Sequence, residues 1–136
     1  MVILSVDYGD ARTGIAVCDR MEMLASPVKV INQSYAPKVI AEIEEIIAVY
    51  KPEIIVVGLP KNMDGTSGER AEKCKSFADE LSEKTGIRTE MCDERLTTVS
   101  AHRALNVTNV RGKKRKEVVD AVSAVMILES FLAARK

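Results

Sequence analysis

Val2-Ile3-Leu4-Ser5-Val6-Asp7-Tyr8-Gly9-Asp10-Ala11-Arg12-Thr13-Gly14-Ile15-Ala16-Val17-Cys18 opens the chain as two apolar runs on either side of a polar, glycine-containing turn. Short apolar runs bounded by glycine read as buried strands, here about Val2–Asp7 and Gly14–Cys18. The short link between them predicts an antiparallel hairpin. The first run ends in Asp7, where an apolar residue would be cheaper. A buried carboxylate costs several kcal/mol unless a cation meets it, and a metal ion is the most economical such cation. Asp7 could instead cap its own turn.

Working outward, a third strand is expected at Ala25–Ile31, with Pro27 pointing to a sheet edge. Ser34 and Pro37 mark a helix start. Val39, Ile40, Ile43, Ile46, Ile47 and Tyr50 then give that helix one apolar face, and Lys51-Pro52 ends it. Ile54-Ile55-Val56-Val57 is a further buried run, and a strand following a helix suggests a crossover to a parallel neighbour. Thr66 and Glu69 have capping-box spacing. Ala71, Cys74, Phe77, Ala78 and Leu81 line the next helix, which Gly86 stops. Ile87–Cys92 reads as a fifth strand near an edge. A short helix is expected from Thr97 or Thr98 to Asn106, a mobile basic loop over Thr108–Arg115, and a well-buried last helix over Lys116–Ala134. The alternation of elements predicts an α/β layer fold with a mixed five-stranded sheet, as a single domain over residues 1–136.

The totals agree with a folded globular chain. It has 136 residues, 46% of them hydrophobic, with 20 basic and 20 acidic residues and no net charge. No run approaches the roughly 20 apolar residues of a membrane span, and Met1-Val2-Ile3-Leu4 carries no secretory pattern. The three cysteines, Cys18, Cys74 and Cys92, are scattered, which suits reduced thiols in a cytoplasm. One histidine, His102, leaves little room for His-based catalysis.

Two further acids stand where acids are unusual. Glu94, beside Asp93, follows the fifth strand, and Asp120 lies among Val118, Val119, Ala121 and Val122. If strands one and five are parallel, their ends share one edge of the sheet, and the last helix could bring Asp120 there. Asp7, Glu94 and Asp120 are then the candidate catalytic and metal-binding residues. Their oxygen-only chemistry suits Mg²⁺ or Mn²⁺, which can serve phosphodiester hydrolysis. Glu94 could equally be a helix cap, and Asp120 half of an internal ion pair.

Phosphate-handling groups are expected in four places. These are the turn with Gly9, Arg12, Thr13 and Gly14; the loop with Lys61, Asn62, Gly65 and Thr66; the segment Arg95, Thr97, Thr98; and the run Arg111, Lys113, Lys114, Arg115, Lys116. The basic run would offset the repulsion between an acidic metal site and a polyanion, so a nucleic-acid backbone is the expected partner. With aromatics at 4% and no Trp, recognition by stacking is disfavoured.

Val6-Asp7-Tyr8-Gly9 with Arg12-Thr13-Gly14, Val57-Gly58-Leu59-Pro60 with Asp64-Gly65, Asp93-Glu94-Arg95-Leu96-Thr97-Thr98, and Asp120-Ala121-Val122-Ser123-Ala124 together resemble the four motifs of the YqgF (RuvX) family. The resemblance spans residues 2 to 132. It implies a ribonuclease H-like fold with strand order 3-2-1-4-5 and helices on both faces. It also implies a metal-dependent nuclease, described for the family as acting on precursor 16S rRNA or on Holliday junctions. Asp7, Glu94 and Asp120 fall on the family's acids, and the second acid comes from strand five because the strand beside Asp7 ends in Gly58-Leu59-Pro60. The expected role is processing of the 5′ end of precursor 16S rRNA in ribosome biogenesis, by a cytoplasmic monomer or homodimer. The alternatives are junction resolution in DNA recombination, or nucleic-acid binding without catalysis. A sugar-kinase-like phosphotransferase ranks low, since those enzymes use two such domains and no Walker-type motif is present.

Overall fold

The computed structural model describes residues 1–60, 68–93 and 112–135, the stretch 112–121 as backbone alone. Strands β1 (Ile3–Tyr8), β2 (Thr13–Cys18) and β3 (Ala25–Ile31) come first. They are followed by helix α1 (Ala36–Tyr50), β4 (Ile54–Leu59), α2 (Glu69–Thr85), β5 (Arg88–Asp93) and α3 (Gly112–Arg135). The five strands form one sheet in the order β3-β2-β1-β4-β5. β1 is antiparallel to β2, and β2 to β3, while β1, β4 and β5 run parallel. β3 and β5 are therefore the edges, as Pro27 and the mixed polarity of β5 suggested.

Both faces of the sheet are covered, which is why β4 reads as an unbroken apolar run and β1 as one interrupted only by Ser5 and Asp7. Leu4, Val6, Ile15, Val17, Ile55 and Val57 pack on one face against Val39, Ile40 and Ile43 of α1 and Phe77, Ala78 and Leu81 of α2. Ile3, Ala16, Cys18, Ile54 and Val56 pack on the other against Ala124, Ile127, Leu128 and Leu132 of α3. Helix α1 stops at Lys51, which adopts a left-handed conformation (φ 51°) and donates its N–H to Ile47 O at 2.7 Å. Gly86 (φ 70°) closes α2 in the same way.

Four local expectations are corrected. Tyr35, not Ser34, is the N-cap of α1, and the Gln33 side chain accepts the Ser34 and Tyr35 N–H groups there. Glu69 is the first residue of α2 after N-cap Gly68, so it cannot be the third helical residue that a capping box needs, while Thr66 lies outside the described residues. Helix α3 starts at Gly112, so Lys113, Lys114 and Arg115 belong to a helix rather than a loop. Lys and Arg are good helix formers, and the lack of apolar periodicity there was no evidence against a helix. The buried stripe of α3 is also narrower than expected, since Val122, Val125 and Met126 are only half-buried. The expected helix from Thr97 or Thr98 to Asn106 lies outside the described residues.

Candidate active site

Side chains alternate along a strand, so Ile3, Ser5 and Asp7 share the face of β1 that α3 covers. Asp7 is 6% exposed. Its partner across the hairpin is Gly14, and the register Val6↔Val57 makes Gly58 its neighbour on β4. Along this face the lateral neighbours of β1 shrink step by step. Cys18 and Ile54 flank Ile3, Ala16 and Val56 flank Ser5, and two glycines flank Asp7. The Asp7 carboxylate, one residue before the end of β1, thus lies in a furrow where neither laterally paired residue carries a side chain. An oxygen donor set in such a furrow fits a hard divalent cation.

Helix α3 runs back along β1. Its C-terminal Arg135 donates to Glu22 at 2.8 Å, and the Met1 amino group donates to the same carboxylate at 3.1 Å, next to the start of β1. Nearer the middle, the buried Ser5 hydroxyl donates to Ala124 O at 2.7 Å. Asp120 lies one helical turn before Ala124, about 6 Å along the axis. Asp7 lies two strand residues beyond Ser5, about 6.6 Å. The two steps run in the same direction, so α3 carries the backbone of Asp120 toward the end of the sheet where Asp7 lies. β5 also finishes at that end, with Asp93, which pairs with Leu59. Glu94, the next residue, lies outside the described residues, as do Lys61, Asn62, Arg95, Thr97 and Arg111. Among the described side chains no three His, Cys, Asp or Glu groups converge as a metal site. Asp7 is the described member of the expected set.

The turn after β1 is smaller than the sequence suggested. Thr13 and Gly14 belong to β2, paired with Tyr8 and Asp7 and fully buried, so neither is free to meet a phosphate. The Thr13 hydroxyl is buried with no hydrogen-bond partner among the described residues. Gly9 to Arg12 remain as the turn proper. Arg70, in the first turn of α2, holds it by donating to Tyr8 O at 3.2 Å and pairing with Asp10 at 3.5 Å. Nothing local in the sequence announces this contact, which joins residues 62 positions apart. Tyr8 itself faces away from Asp7 and stacks on Phe77 with ring centroids 4.0 Å apart. Burial, and the negative charge of Asp10 and Glu80 after it, push the Tyr8 phenol above its usual pKa. A cleft of about 670 Å³ opens beside it, on the face opposite Asp7. Asp10, Glu69, Glu72 and Glu80 against one lysine, Lys73, make that cleft a poor host for a polyanion.

This sheet order, with α3 laid across β1, is that of the ribonuclease H-like fold. The chain superposes on Thermus thermophilus RuvC, solved in complex with Holliday junction substrate, with TM-score 0.64 at 15% identity, covering 99% of this chain and 96% of that one. The fowlpox virus Holliday junction resolvase gives TM-score 0.55 at 12% identity over the whole of both chains. At such identities the likeness establishes the fold.

The family follows from sequence. The RuvX family model, described as Holliday junction resolvase, matches residues 1–134, and the chain belongs to that family. It is 44% identical over 135 residues to a protein of Agathobacter rectalis, covering 97% of this chain and 94% of the relative. It is 43% identical over 132 residues to one of Clostridium tetani, covering 97% and 96%. Both relatives carry the name "Putative pre-16S rRNA nuclease". The four-motif resemblance in the sequence therefore holds.

Proposed function

We propose that the chain is a cytoplasmic, metal-dependent nuclease that trims precursor 16S rRNA. The observation that carries this reading is the nearly buried Asp7 carboxylate in its glycine furrow, at the end of the sheet toward which α3 brings Asp120. Names of relatives that refer to pre-16S rRNA support the substrate. Asp7, Glu94 and Asp120 would hold one or two Mg²⁺ or Mn²⁺ ions. The chemistry such ions supply when bound is activation of a water and stabilisation of the leaving oxygen.

The remaining work falls to the chain. Lys113, Lys114 and Arg115 lie in the first turn of α3, which holds no acid. Basic residues at the positive end of a helix dipole reinforce it, at a cost to helix stability of about 0.3–1 kcal/mol each. The result is an anion-attracting end extending about 10 Å beyond Asp120 along the helix axis. That end, with Arg12, Lys61, Asn62, Arg95, Thr97 and Arg111, would position the phosphate backbone. Holliday junction cleavage is the second reading, favoured by the family description and requiring a symmetric dimer. No helix among the described residues is long and apolar enough to cross a membrane.

The test is cleavage of end-labelled precursor 16S rRNA and of a four-way DNA junction by wild type and Asp7→Asn, with Mg²⁺, Mn²⁺ or EDTA. Metal-dependent cutting of the RNA by wild type alone is expected. Cutting of the junction alone would replace the substrate, and binding without cutting under every condition would overturn the nuclease.

A further inference from the structure

We propose that Ser5 is a positioning residue for the metal-binding acids. Its hydroxyl fixes α3 against β1 and so sets the separation of Asp7 and Asp120. The proposal rests on the metal-site reading above.

Ser5 is fully buried on the central strand, two residues before Asp7 and on the same face. Both neighbouring positions on that face, Ala16 and Val56, are apolar and also fully buried. A hydroxyl placed there would lose stability by desolvation unless it found an acceptor. It finds one at 2.7 Å, the carbonyl of Ala124. The acceptor is a backbone atom, so the bond fixes the helix itself and not a rotatable side chain. Ala124 and Asp120 are one turn apart on a rigid helix, and Ser5 and Asp7 are one strand repeat apart. Fixing one pair therefore fixes the other. Apolar packing of Ile127, Leu128 and Leu132 holds α3 on the sheet but is non-directional. The Ser5 hydrogen bond is directional and specifies which turn of α3 sits over Ser5. Groups that orient metal ligands typically change metal affinity 10- to 100-fold when removed.

The experiment compares wild type, Ser5→Ala, Ser5→Thr and Ser5→Cys. Alanine removes the hydroxyl with almost no change in volume, threonine keeps it, and cysteine fills the space with a weak donor. Mn²⁺ affinity is read by calorimetry without nucleic acid, and backbone exchange over residues 118–124 by hydrogen–deuterium mass spectrometry. Ser5→Ala is expected to remain folded, to weaken Mn²⁺ binding roughly tenfold and to exchange faster over 118–124, with Ser5→Thr restoring both. In the cleavage assay kcat should fall while KM for the RNA holds. If Ser5→Ala does not fold, Ser5→Cys carries the same comparison. Wild-type Mn²⁺ affinity in the folded variant would overturn the positioning role alone. A wild type that binds Mn²⁺ but cuts nothing would overturn the nuclease reading and leave Ser5 to the affinity measurement. A wild type that binds no Mn²⁺ would overturn both.

Discussion

Replacing Gly9 by alanine sets two effects of opposite sign against each other. Gly9 does not adopt a left-handed conformation, which Gly86 does among the described glycines. On backbone grounds alanine should therefore be accepted. It should even stabilise by about 0.4–1 kcal/mol, because it restricts the unfolded chain. The geometry opposes this. A Cβ on Gly9 would run into the Arg12 carbonyl oxygen, closer than van der Waals contact allows. That oxygen is backbone and cannot rotate away, so the turn must open. Overpacking of this kind costs about 1–3 kcal/mol. The net expectation is a loss of about 1–2 kcal/mol, or roughly 3–10 °C in Tm for a chain of this size. Urea unfolding followed by circular dichroism measures it, with an unchanged m-value as the sign that only the native state is affected. The opened turn also carries Asp10, whose pairing with Arg70 it would disturb, and Arg12. Cleavage should therefore fall by more than the folded fraction does. A Gly9→Ala variant as stable as wild type, or more stable, would refute the steric argument.

Two further outcomes follow from the packing and from the surface ion contacts. Phe77 is 2% exposed and stacked on Tyr8, so Phe77→Ala should lose about 3–5 kcal/mol in urea unfolding, whereas a loss below about 1 kcal/mol would remove the stack from the core. Glu22 is held below the usual carboxylate range, first by the hydrogen bond from Arg135 and then by that from the Met1 amino group. Its contribution is thus fully present above about pH 4.5, the ordinary glutamate value, and is lost as pH falls through the lower folded value. The Tm difference between wild type and Glu22→Gln should close on acidification through that range and shrink in high salt, because the contacts are exposed. A difference that grows on acidification would contradict the assignment.

Much of this architecture is legible in the amino-acid sequence. Period-2 and period-3.6 patterns are local, so β1, β4, α1 and α2 were visible as runs and faces. Gly86 and Lys51-Pro52 marked helix ends for reasons contained within a few residues. Asp7 stood out because a carboxylate in a buried strand is costly wherever it occurs. Local pattern misled in two places. The run Lys113, Lys114, Arg115 lacks an apolar stripe, which suggests a loop, yet it is helical because charged residues of high propensity extend a helix already held by its downstream packing. Thr13 and Gly14 passed for phosphate contacts until pairing with Tyr8 and Asp7 drew them into β2.

The sequence by itself determined most of the elements and the hairpin, and it singled out Asp7 as a carboxylate in a buried strand, since these depend on neighbours along the chain. Only the tertiary structure decided that Gly14 and Gly58 flank Asp7, that Arg70 clasps the turn, and that Ser5 meets Ala124 across 119 positions. These are contacts between elements, set by strand register and by how α2 and α3 lie on the two faces of the sheet. No periodicity encodes them, because each is fixed by the simultaneous burial of surfaces far apart in sequence.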